Sequence, residues 1–346
     1  MRYALSPTLR QRAGRFLLLL LLCLNAPLFA AELKADDHVL LIPGIAYDAD
    51  GEQQAEVNAF VYEKEQMPGI SSLFAAYLGV DLDKLPPEQK ERYDWRAGLF
   101  RADFKSGREF SIEFSDGSIH AMPKTEDGKS TAIFKLAPQD KPQAKITFAV
   151  HKPLSPESHH ESFVIYAAPE GVSIILDIDD TIKVSNVRDK KALLLNTFFN
   201  DYTPTADIKA LFAAFAQLEN PAFHYVSASP AHLYPALAEF FAREQFPEGS
   251  FHLRDATDLR DLAPSKKTVI AHKTRSIEKL LAAYPQRKFI LVGDSGESDP
   301  EIYAAIKRNF PDRVLEIYIH NVTDEDADSP RFQETFKDIH DSLRIF

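Results

Sequence analysis

The spacing of apolar residues changes once along the chain, close to residue 168. Before that point it is mostly period two: Phe110, Ile112 and Phe114 alternate with polar residues, and Asp116-Gly117 then supplies a hairpin turn. Short alternating segments separated by turns predict β-strands, so this region is expected to form a small β-sandwich. Two helical stretches interrupt the pattern, at residues 69–77 and 86–99.

Beyond residue 168, apolar strands alternate with helical stretches, as is typical of a parallel sheet. The strand-like runs lie at residues 173–176, 223–226, 289–292 and 314–319, and the helical ones at 208–218, 232–243 and 276–284. An α/β fold with helices on both faces of the sheet is therefore predicted. The chain divides into an expected β-rich region, residues 31–168, and an expected α/β region, residues 169–346.

The first 30 residues have the three parts of a secretory signal. Four arginines precede the apolar run 16–24, and Pro27 is followed by the small residues Ala30 and Ala31. The run is shorter than the roughly 20 residues that a membrane helix needs. Cleavage after Ala30, and hence a periplasmic or secreted protein, is expected.

The number of cysteines and the net charge limit the disulfides, lipid anchors and binding partners that can be expected. Cys23 is the only cysteine and falls inside the signal, so the mature chain would contain no disulfide. Leu22 before it is too bulky for a typical lipoprotein cleavage site, and no acyl anchor is predicted there. The formal net charge of the whole chain is −11, and loss of the four arginines would make it more negative. Such an acidic chain lacks the basic surface that nucleic acids require.

Two carboxylates follow the first apolar strand of the α/β region, in the motif Asp177-Ile-Asp179-Asp-Thr181. The carboxyl ends of parallel strands are where open α/β sheets bind their ligands, so these acids are expected to line a site. Acids at i and i+2 can divide the work of hydrolysis: one attacks phosphorus and the other moves the proton of the leaving oxygen. A structural pair of acids is the alternative, and the other strand ends decide between the two.

Further polar signatures come later. Ser227 and Ala228 follow the second apolar run and lead into a helix start near Pro230, where a hydroxyl and free backbone N–H groups can hold an anion. Lys273, at the predicted opening of a helix, can hold a nucleophile and a phosphate together. Taken singly, the serine is also a common helix cap and the lysine a common solvated charge.

The last signature is acidic. Residues 293–301 contain four acids, Asp294 and Asp299 among them, directly after a buried strand. Carboxylate oxygens are the ligands that Mg²⁺ prefers, so a magnesium site is predicted here, with an acidic capped loop as the alternative. The cluster His151, His159 and His160 lies in a Pro/Ser-rich stretch and is interpreted as a solvated connector.

Taken together, the segments LDIDDTIKVSNV, YVSASP, HKTRSIEKLL and LVGDSGESDPEIY resemble the haloacid dehalogenase-like phosphohydrolases. They are most similar to the App1-type phosphatidate phosphatases, whose D-x-D-x-T motif is shared with the lipins. The resemblance covers roughly residue 171 to the end of the chain and implies a Rossmann-like sheet. One departure is His320, where an arginine is expected in the family.

The resemblance implies a role for each residue of the motifs. Asp177 would be the nucleophile that forms an aspartyl-phosphate, and Asp179 would protonate the leaving alcohol and later activate water. Thr181 would orient Asp179, while Ser227 and Lys273 would hold phosphate oxygens. Mg²⁺ would be bound by Asp177, the backbone carbonyl of Asp179, and Asp294, with Asp299 ligating or supporting it.

The resemblance also has consequences for the substrate. Between the first two signatures, residues 182–225 hold about one flap and one helix, which leaves no room for a separate cap domain and predicts an open site. Residues 192–195 with Phe198 and Phe199 form an apolar stretch there. It is interpreted either as a buried helix face or as a contact for the acyl chains of a membrane-presented lipid.

Three functions follow from these expectations. The leading one is a Mg²⁺-dependent phosphatase that acts on phosphatidate and makes a peripheral membrane contact. The first alternative keeps the chemistry and changes the substrate to a soluble phosphate monoester. The second is an envelope binding or scaffold protein whose β-rich region does the work and whose acidic site is vestigial.

Overall fold

A computed structural model describes residues 31–64, 69–136, 145–154, 160–255 and 264–346. The expected secretory signal, with Cys23, lies outside the described residues, as does His159. Among the described residues, no helix combines the length and the apolarity needed to cross a bilayer.

Strands and helices follow one another in the order that the change of pattern indicates. The strands are β1 (Ala31–Glu32), β2 (Asp37–Ile42), β3 (Gly44–Ala49), β4 (Glu52–Lys64), β5 (Ala102–Phe104), β6 (Arg108–Glu109), β7 (Ser111–Phe114), β8 (Ile119–Ala121), β9 (Lys129–Lys135), β10 (Lys145–Val150), β11 (Glu161–Tyr166), β12 (Val172–Leu176), β13 (Ala222–Pro230), β14 (Gly249–Arg254), β15 (Lys288–Asp294), β16 (Val314–His320) and β17 (Leu343–Ile345). The helices are α1 (Ile70–Tyr77), α2 (Pro87–Leu99), α3 (Lys190–Phe198), α4 (Ile208–Phe215), α5 (Tyr234–Glu244), α6 (Lys266–Ala283), α7 (Asp299–Asn309) and α8 (Pro330–Phe336).

The period-two region is built from strands, as predicted. Ile112 and Phe114 of β7 are buried while Glu113 between them is exposed, which is the alternation that the sequence shows. Within the described residues, nine strands of this region join into one connected sheet. The connection is β4, which pairs with β2 and β3 along one edge and with β5 and β9 along the other. These nine strands thus form one continuous sheet around a single long strand, and the two packed faces of a sandwich stay a prediction.

The α/β region contains the predicted parallel sheet, with strand order β14-β13-β12-β15-β16-β17. Every neighbouring pair in it is parallel. From β12 the chain first adds β13 and β14 on one side. It then returns to add β15, β16 and β17 on the other side of β12, which is the doubly wound arrangement. The reversal between β12 and β15 creates a crevice at the carboxyl ends of these two strands.

Successive residues of β12 point to opposite faces, and each face is covered by helices. Ile174 and Leu176 pack into a core with side chains of α3, α4 and α5, whereas Ile175 packs with side chains of α6, α7 and α8. The near-continuous apolar runs of the sequence reflect this burial on both faces. The prediction of helices on both sides of the sheet is confirmed.

The two regions share one core. Phe60 and Tyr62 of β4 and Tyr93 of α2 belong to the same apolar cluster as Ile174 and Leu176 of β12. Helix α2 also lies against α3, where the Tyr93 ring stacks on Phe199 with centroids 4.3 Å apart and planes 9° apart. The chain passes from the β-rich sheet to the fully parallel sheet between β11 and β12, while the apolar core continues across this point.

Arg287 fastens the connection between the two regions. Its side chain is fully buried and donates to the carbonyls of Ala168 and Glu170 in the connecting segment, at 2.7 and 3.0 Å. It also donates to the carbonyls of Val172 and Asn220 and to the Ser173 hydroxyl. One guanidinium thus satisfies acceptors that the fold has removed from water.

Arg287→Met should lower the free energy of unfolding by about 3 kcal/mol, because it leaves several buried acceptors without a donor. Urea unfolding followed by far-UV circular dichroism measures this. The matched control is Arg344→Met at a partly exposed arginine, which should change stability by less than about 1 kcal/mol. Equal effects of the two substitutions would contradict the role assigned to Arg287.

Candidate active site

The predicted site residues meet at the crevice between β12 and β15. Asp177 follows β12 directly, and its backbone N–H donates to the carbonyl of Val292 in β15. Asp294 is the last residue of β15, so both carboxylates stand at the carboxyl ends of adjacent strands. The topology therefore brings together two acids that are 117 positions apart in the sequence.

Asp177 lies beside Lys273, and both side chains are essentially without solvent exposure. The Lys273 ammonium is 3.0 Å from Asp177 Oδ1, 2.5 Å from Asp299 Oδ1 and 3.1 Å from Glu297 Oε2. Burial would lower the pKa of Lys273, but Asp177 and its neighbours raise it well above its usual range. The lysine is therefore a permanent cation next to the predicted nucleophile.

The position of Lys273 within its helix differs from the prediction. Helix α6 begins at Lys266 rather than near Lys273, because the Ser265 hydroxyl caps it by accepting from the Thr268 N–H at 3.1 Å. Lys273 thus reaches the site from the second turn of the helix. Its ammonium acts there without support from a helix terminus.

Three buried carboxylates form a set suited to a metal ion. Oxygens of Asp177, Asp294 and Asp299 all lie within 4.8 Å of one another. Asp177 Oδ2 and Asp294 Oδ2 are buried and have no hydrogen-bond partner, which leaves lone pairs free for a cation. All the donors are oxygens, so the residues fit a hard divalent cation such as Mg²⁺.

The pKa values of these acids are raised, because the carboxylates are buried and lie close to one another. Burial raises the pKa of Asp177 well above its usual range, and Asp299 and Glu297 add to the rise that Lys273 opposes. Burial also raises the pKa of Asp294, with Asp299 as the next cause, and that of Glu297. One lysine faces four carboxylates, so the site has an excess of negative charge that a bound cation would neutralise.

Glu297 was not among the residues predicted for the site. It lies in the acidic stretch that the sequence singled out, but its position there gave no means of separating it from Glu301. In the structure Glu297 contacts Lys273, whereas Glu301 binds Arg331 at the surface. Only the fold of the loop distinguishes the two glutamates.

Asp179 has a different environment from Asp177. Its Oδ1 accepts from Lys183 at 2.7 Å and from the Ser185 hydroxyl at 2.6 Å, and its Oδ2 accepts from the Ser229 hydroxyl at 2.6 Å. Burial alone would raise the pKa of Asp179, but Lys183 and these hydrogen bonds outweigh it and lower that pKa to about 2. Asp179 is thus an ionised carboxylate held from three sides.

The residues that hold Asp179 differ from the one predicted. The Thr181 hydroxyl is buried and has no hydrogen-bond partner, so the expected contact with Asp179 is not made. Ser227 is buried, and its hydroxyl donates to Asp179 at 3.4 Å and accepts from the Ser229 N–H at 2.9 Å. Strand β13 continues to Pro230, which moves the helix start to Tyr234 and leaves Ser227 and Ala228 on the strand end.

His320 is placed behind the site rather than in its cavity. One of its ring nitrogens lies 2.6 Å from the backbone carbonyl of Asp180, and the ring packs against Phe346. The Asp180 carboxylate in turn accepts from the N–H groups of Ser185 and Val187, which closes the loop after β12. His320 therefore supports the turn that carries Asp179.

A cavity of about 80 Å³ opens beside these residues. Asp177, Asp179 and Ala228 line its polar side, and Leu193, Leu194 and Leu237 line its apolar side. Its volume suits a phosphate group but not a long acyl chain, so any chain must extend past the mouth. No further domain stands between β12 and β13 in the described residues.

Two residues expected to be candidates for acyl contact are instead part of the core. Phe198 and Phe199 are 1% and 2% exposed. Phe198 packs edge-on against Phe74 of α1, and Phe199 stacks on Tyr93 of α2. The acyl interpretation is wrong for this pair, because helices of the β-rich region cover them. Within the apolar stretch, Leu193 and Leu194 line the cavity.

Two other polar clusters do not resemble the site. Asp36, Asp37 and Glu63 also bring oxygens together, but Arg108 contacts Asp37 at 2.6 Å and Glu63 at 3.2 Å, and Lys105 contacts Glu63 at 2.8 Å, so two of the three acids are already paired with cations. His151 binds Glu113 at 2.9 Å, and within the described residues neither it nor His160 joins a metal-ligating group.

Comparison with known proteins finds similarity in the α/β region, which contains the site. A family model described as the catalytic domain of phosphatidate phosphatase APP1 matches residues 172–321. The chain is 31% identical to phosphatidate phosphatase APP1 of Saccharomyces cerevisiae over 172 residues, which are 49% of this chain and 29% of that protein. It is 34% identical to an uncharacterized protein of Schizosaccharomyces pombe over 155 residues, 44% of this chain and 25% of that protein.

The chain thus covers between a quarter and a third of the length of these curated relatives. The matched residues span β12 to β16 and include every strand end that contributes to the crevice. Residues 172–321 therefore match the catalytic-domain family of the App1-type phosphatidate phosphatases, and the resemblance inferred from the strand-end motifs is confirmed.

Proposed function

We propose that this protein is a Mg²⁺-dependent phosphatase that hydrolyses phosphatidate to diacylglycerol and phosphate through an aspartyl-phosphate on Asp177. The observation that carries the proposal is the buried pair of Asp177 and Lys273, 3.0 Å apart, within a set of free carboxylate oxygens. This arrangement lies in the segment that matches the App1 catalytic domain. The doubly wound sheet is consistent with the haloacid dehalogenase-like fold that the resemblance implies.

The first step is attack by an Asp177 oxygen on phosphorus. An aspartate O–P bond forms, the P–O bond to the alcohol breaks, and the alcohol oxygen takes a proton from Asp179. Lys273 keeps Asp177 oriented and opposes the rise of its pKa, and its charge would offset the build-up of negative charge on the phosphoryl oxygens. Ala228 lines the cavity where those oxygens would lie.

The second step releases phosphate. Water attacks the aspartyl-phosphate, Asp179 accepts the proton of that water, and Asp177 is restored. Because the pKa of Asp179 is lowered to about 2, its side chain is a carboxylate when the site is at rest, which is the form that the second step requires. To act as the acid of the first step, Asp179 must therefore receive a proton when substrate binds.

The metal would be held by Asp177 and Asp294, with the backbone carbonyl of Asp179 as a further ligand. When bound, Mg²⁺ supplies Lewis-acid stabilisation of phosphoryl charge. Asp299 contacts Lys273 at 2.5 Å and accepts from the Asp294 N–H at 3.3 Å, so it positions both a ligand and the lysine.

The lipid substrate is favoured by the apolar side of the cavity. Val187, Leu193, Leu194 and Leu237 are close to the catalytic carboxylates, where a sugar phosphate would need polar partners. A soluble phosphate monoester remains the second candidate, supported by the small volume of the cavity. We further propose an envelope location, from the secretory pattern of the first 30 residues.

Asp177→Asn should lower phosphate release from phosphatidate by roughly a thousandfold or more, because an amide is a poor nucleophile. The assay compares phosphatidate vesicles with a panel of soluble monoesters, with and without Mg²⁺. Asp207→Asn, at an exposed aspartate without a capping bond, is the matched control and should keep full activity. A wild-type protein with no phosphatase activity on any of these substrates would favour the binding or scaffold alternative.

Asp179→Asn should slow the first step far more for an alkyl phosphate than for p-nitrophenyl phosphate. The nitrophenolate leaves without a proton, whereas an alkoxide does not. Single-turnover measurement of alcohol release gives the two rates, with dioctanoyl phosphatidate as the alkyl substrate. Equal losses on both substrates would exclude Asp179 as the acid.

Mg²⁺ should raise the melting temperature more at pH 8 than at pH 5. Because the folded-state pKa values of Asp177 and Asp294 are raised, the metal-free folded protein binds more protons than the unfolded chain. The stability that these two acids contribute is therefore fully present below their unfolded-state pKa values, about 4, and is lost as pH rises through their raised folded-state pKa values. A bound cation removes this loss by pairing with the ionised oxygens.

Asp294→Asn tests the assignment by thermal unfolding alone. It removes one crowded charge, so the metal-free variant should melt several degrees higher than the wild type at pH 8. It also removes a ligand, so the shift caused by Mg²⁺ should shrink. Asp207→Asn serves again as the control and should keep the wild-type shift. An unchanged Mg²⁺ shift in Asp294→Asn would place the cation elsewhere.

A further inference from the structure

Helix α1 exposes apolar side chains that its surroundings do not cover. Its inner face is packed: Ala75 and Leu78 are buried, and Phe74 contacts Phe198 of α3. Its outer face carries Leu73 and Tyr77, which are 72% and 80% exposed and lie one helical turn apart. The helix contains no charged residue, and large apolar side chains exposed next to each other mark a contact surface.

A basic cluster lies next to this face. Arg188, Lys190 and Lys191 are all exposed at the start of α3, and the neighbouring carboxylate of Asp189 is occupied in capping that helix. The two features are adjacent, because a Cβ on Gly79, just after α1, would lie 3.5 Å from Lys191 Nζ. Three cations against one carboxylate contrast with the acidic character of the whole chain.

The basic cluster borders the cavity. Leu193 and Leu194, two and three residues after Lys191, line the cavity beside Asp179. Val187, just before the basic cluster, lines it as well. Lys191 therefore approaches the end of α1 at Gly79, and the residues on either side of the basic cluster line the cavity that holds the catalytic carboxylates.

We propose that Leu73 and Tyr77 of α1, together with Arg188, Lys190 and Lys191, form a docking surface for an anionic phospholipid bilayer. The leucine and the tyrosine insert at the boundary between headgroups and acyl chains, where tyrosine is favoured. The cations contact lipid phosphates, each worth roughly a fivefold gain in binding to an anionic surface. We refer to these five residues as the docking surface.

The inference rests on the proposed lipid substrate and deepens it. A cavity of about 80 Å³ accepts a phosphate while the acyl chains stay outside. The chains can remain in the bilayer only if the cavity mouth faces it. The docking surface holds the mouth in that orientation, because it adjoins the leucines of the cavity wall.

Vesicle flotation with the full chain tests the surface directly. The wild type should bind vesicles of phosphatidylcholine with about 30% of the anionic lipid phosphatidylglycerol more tightly than vesicles of pure phosphatidylcholine. Leu73→Ser/Tyr77→Ser should weaken binding to both kinds of vesicle by about tenfold. Lys190→Glu/Lys191→Glu should lose about tenfold or more on the anionic vesicles alone, and salt should mimic this loss.

Matched controls lie at the opposite end of the sheet. Leu315→Ser changes a half-exposed leucine near the start of β16, and Lys288→Glu/Lys337→Glu reverses two exposed lysines away from the cavity. Both should bind vesicles as the wild type does. If the controls lose binding as much as the docking-surface variants, the effect is one of bulk charge or apolarity and the proposal is overturned.

Activity separates this proposal from the proposed function. On phosphatidate in anionic vesicles, the docking-surface variants should lose about tenfold, whereas on p-nitrophenyl phosphate they should stay within about twofold of the wild type. Vesicle binding without hydrolysis of phosphatidate would refute the substrate and leave the surface standing. Hydrolysis of vesicle phosphatidate that is unchanged in both double variants would overturn the surface.

A second copy of the chain is the other occupant of this surface that the measurements can reveal. Sedimentation velocity of wild type and Leu73→Ser/Tyr77→Ser gives the oligomeric state of each. A dimer that dissociates on substitution, with vesicle binding unchanged, would make this face a contact between two copies and overturn the proposal. A monomer in both cases supports the bilayer as the occupant.

Discussion

The contact between Lys273 and the carboxylates around it is the constraint on which the rest of the site depends. A fully buried ammonium is costly unless it is paired, and here Asp177, Glu297 and Asp299 all lie within 3.1 Å of it. Those carboxylates, with Asp294, exceed the single positive charge, so the lysine alone cannot balance them. The imbalance explains why buried oxygens of Asp177 and Asp294 are left without donors. A site with this charge favours a divalent cation and a phosphoryl group whose charges cancel together, which is the chemistry of phosphoryl transfer.

Asp179 is held differently, through two cations that lie against the same tyrosine ring, one of them from the β-rich region. Arg96 of α2 lies 3.8 Å over the ring of Tyr202, and Lys183 lies 4.7 Å from the same ring. Lys183 in turn pairs with Asp179 at 2.7 Å. Arg96 also donates to the carbonyls of Thr197 and Asn200, which fixes the end of α3. The β-rich region therefore does more than cover the sheet, since its helices hold the elements that position Asp179 and line the cavity.

The sequence was sufficient for the parts of the structure that depend on local pattern. Buried apolar runs ending in Asp177, Ser227 and Asp294 located the carboxyl ends of parallel strands, and the parallel sheet then brought those ends together. The parts that could not be predicted depend on packing between distant segments. Nothing local to Phe198 and Phe199 shows that α1 and α2 cover them, and nothing local to Ser185 or Ser229 shows that both reach Asp179. The start of α6 was missed for a related reason, since its capping serine precedes Lys273 by two turns.

Charge and apolarity are separated in this molecule according to depth, and the separation is what suits it to a lipid substrate. The groups that would meet a phosphate are buried, with Asp177 and Lys273 at 1% and 0% exposure, so their interactions are weakly screened. The groups that would meet acyl chains lie outward of them, first as the leucines of α3 and then as the exposed face of α1. A soluble monoester would use the deep part of this arrangement and leave the outer part without a role. A phosphorylated lipid uses both, because its headgroup and its chains have to be held in two different environments at once.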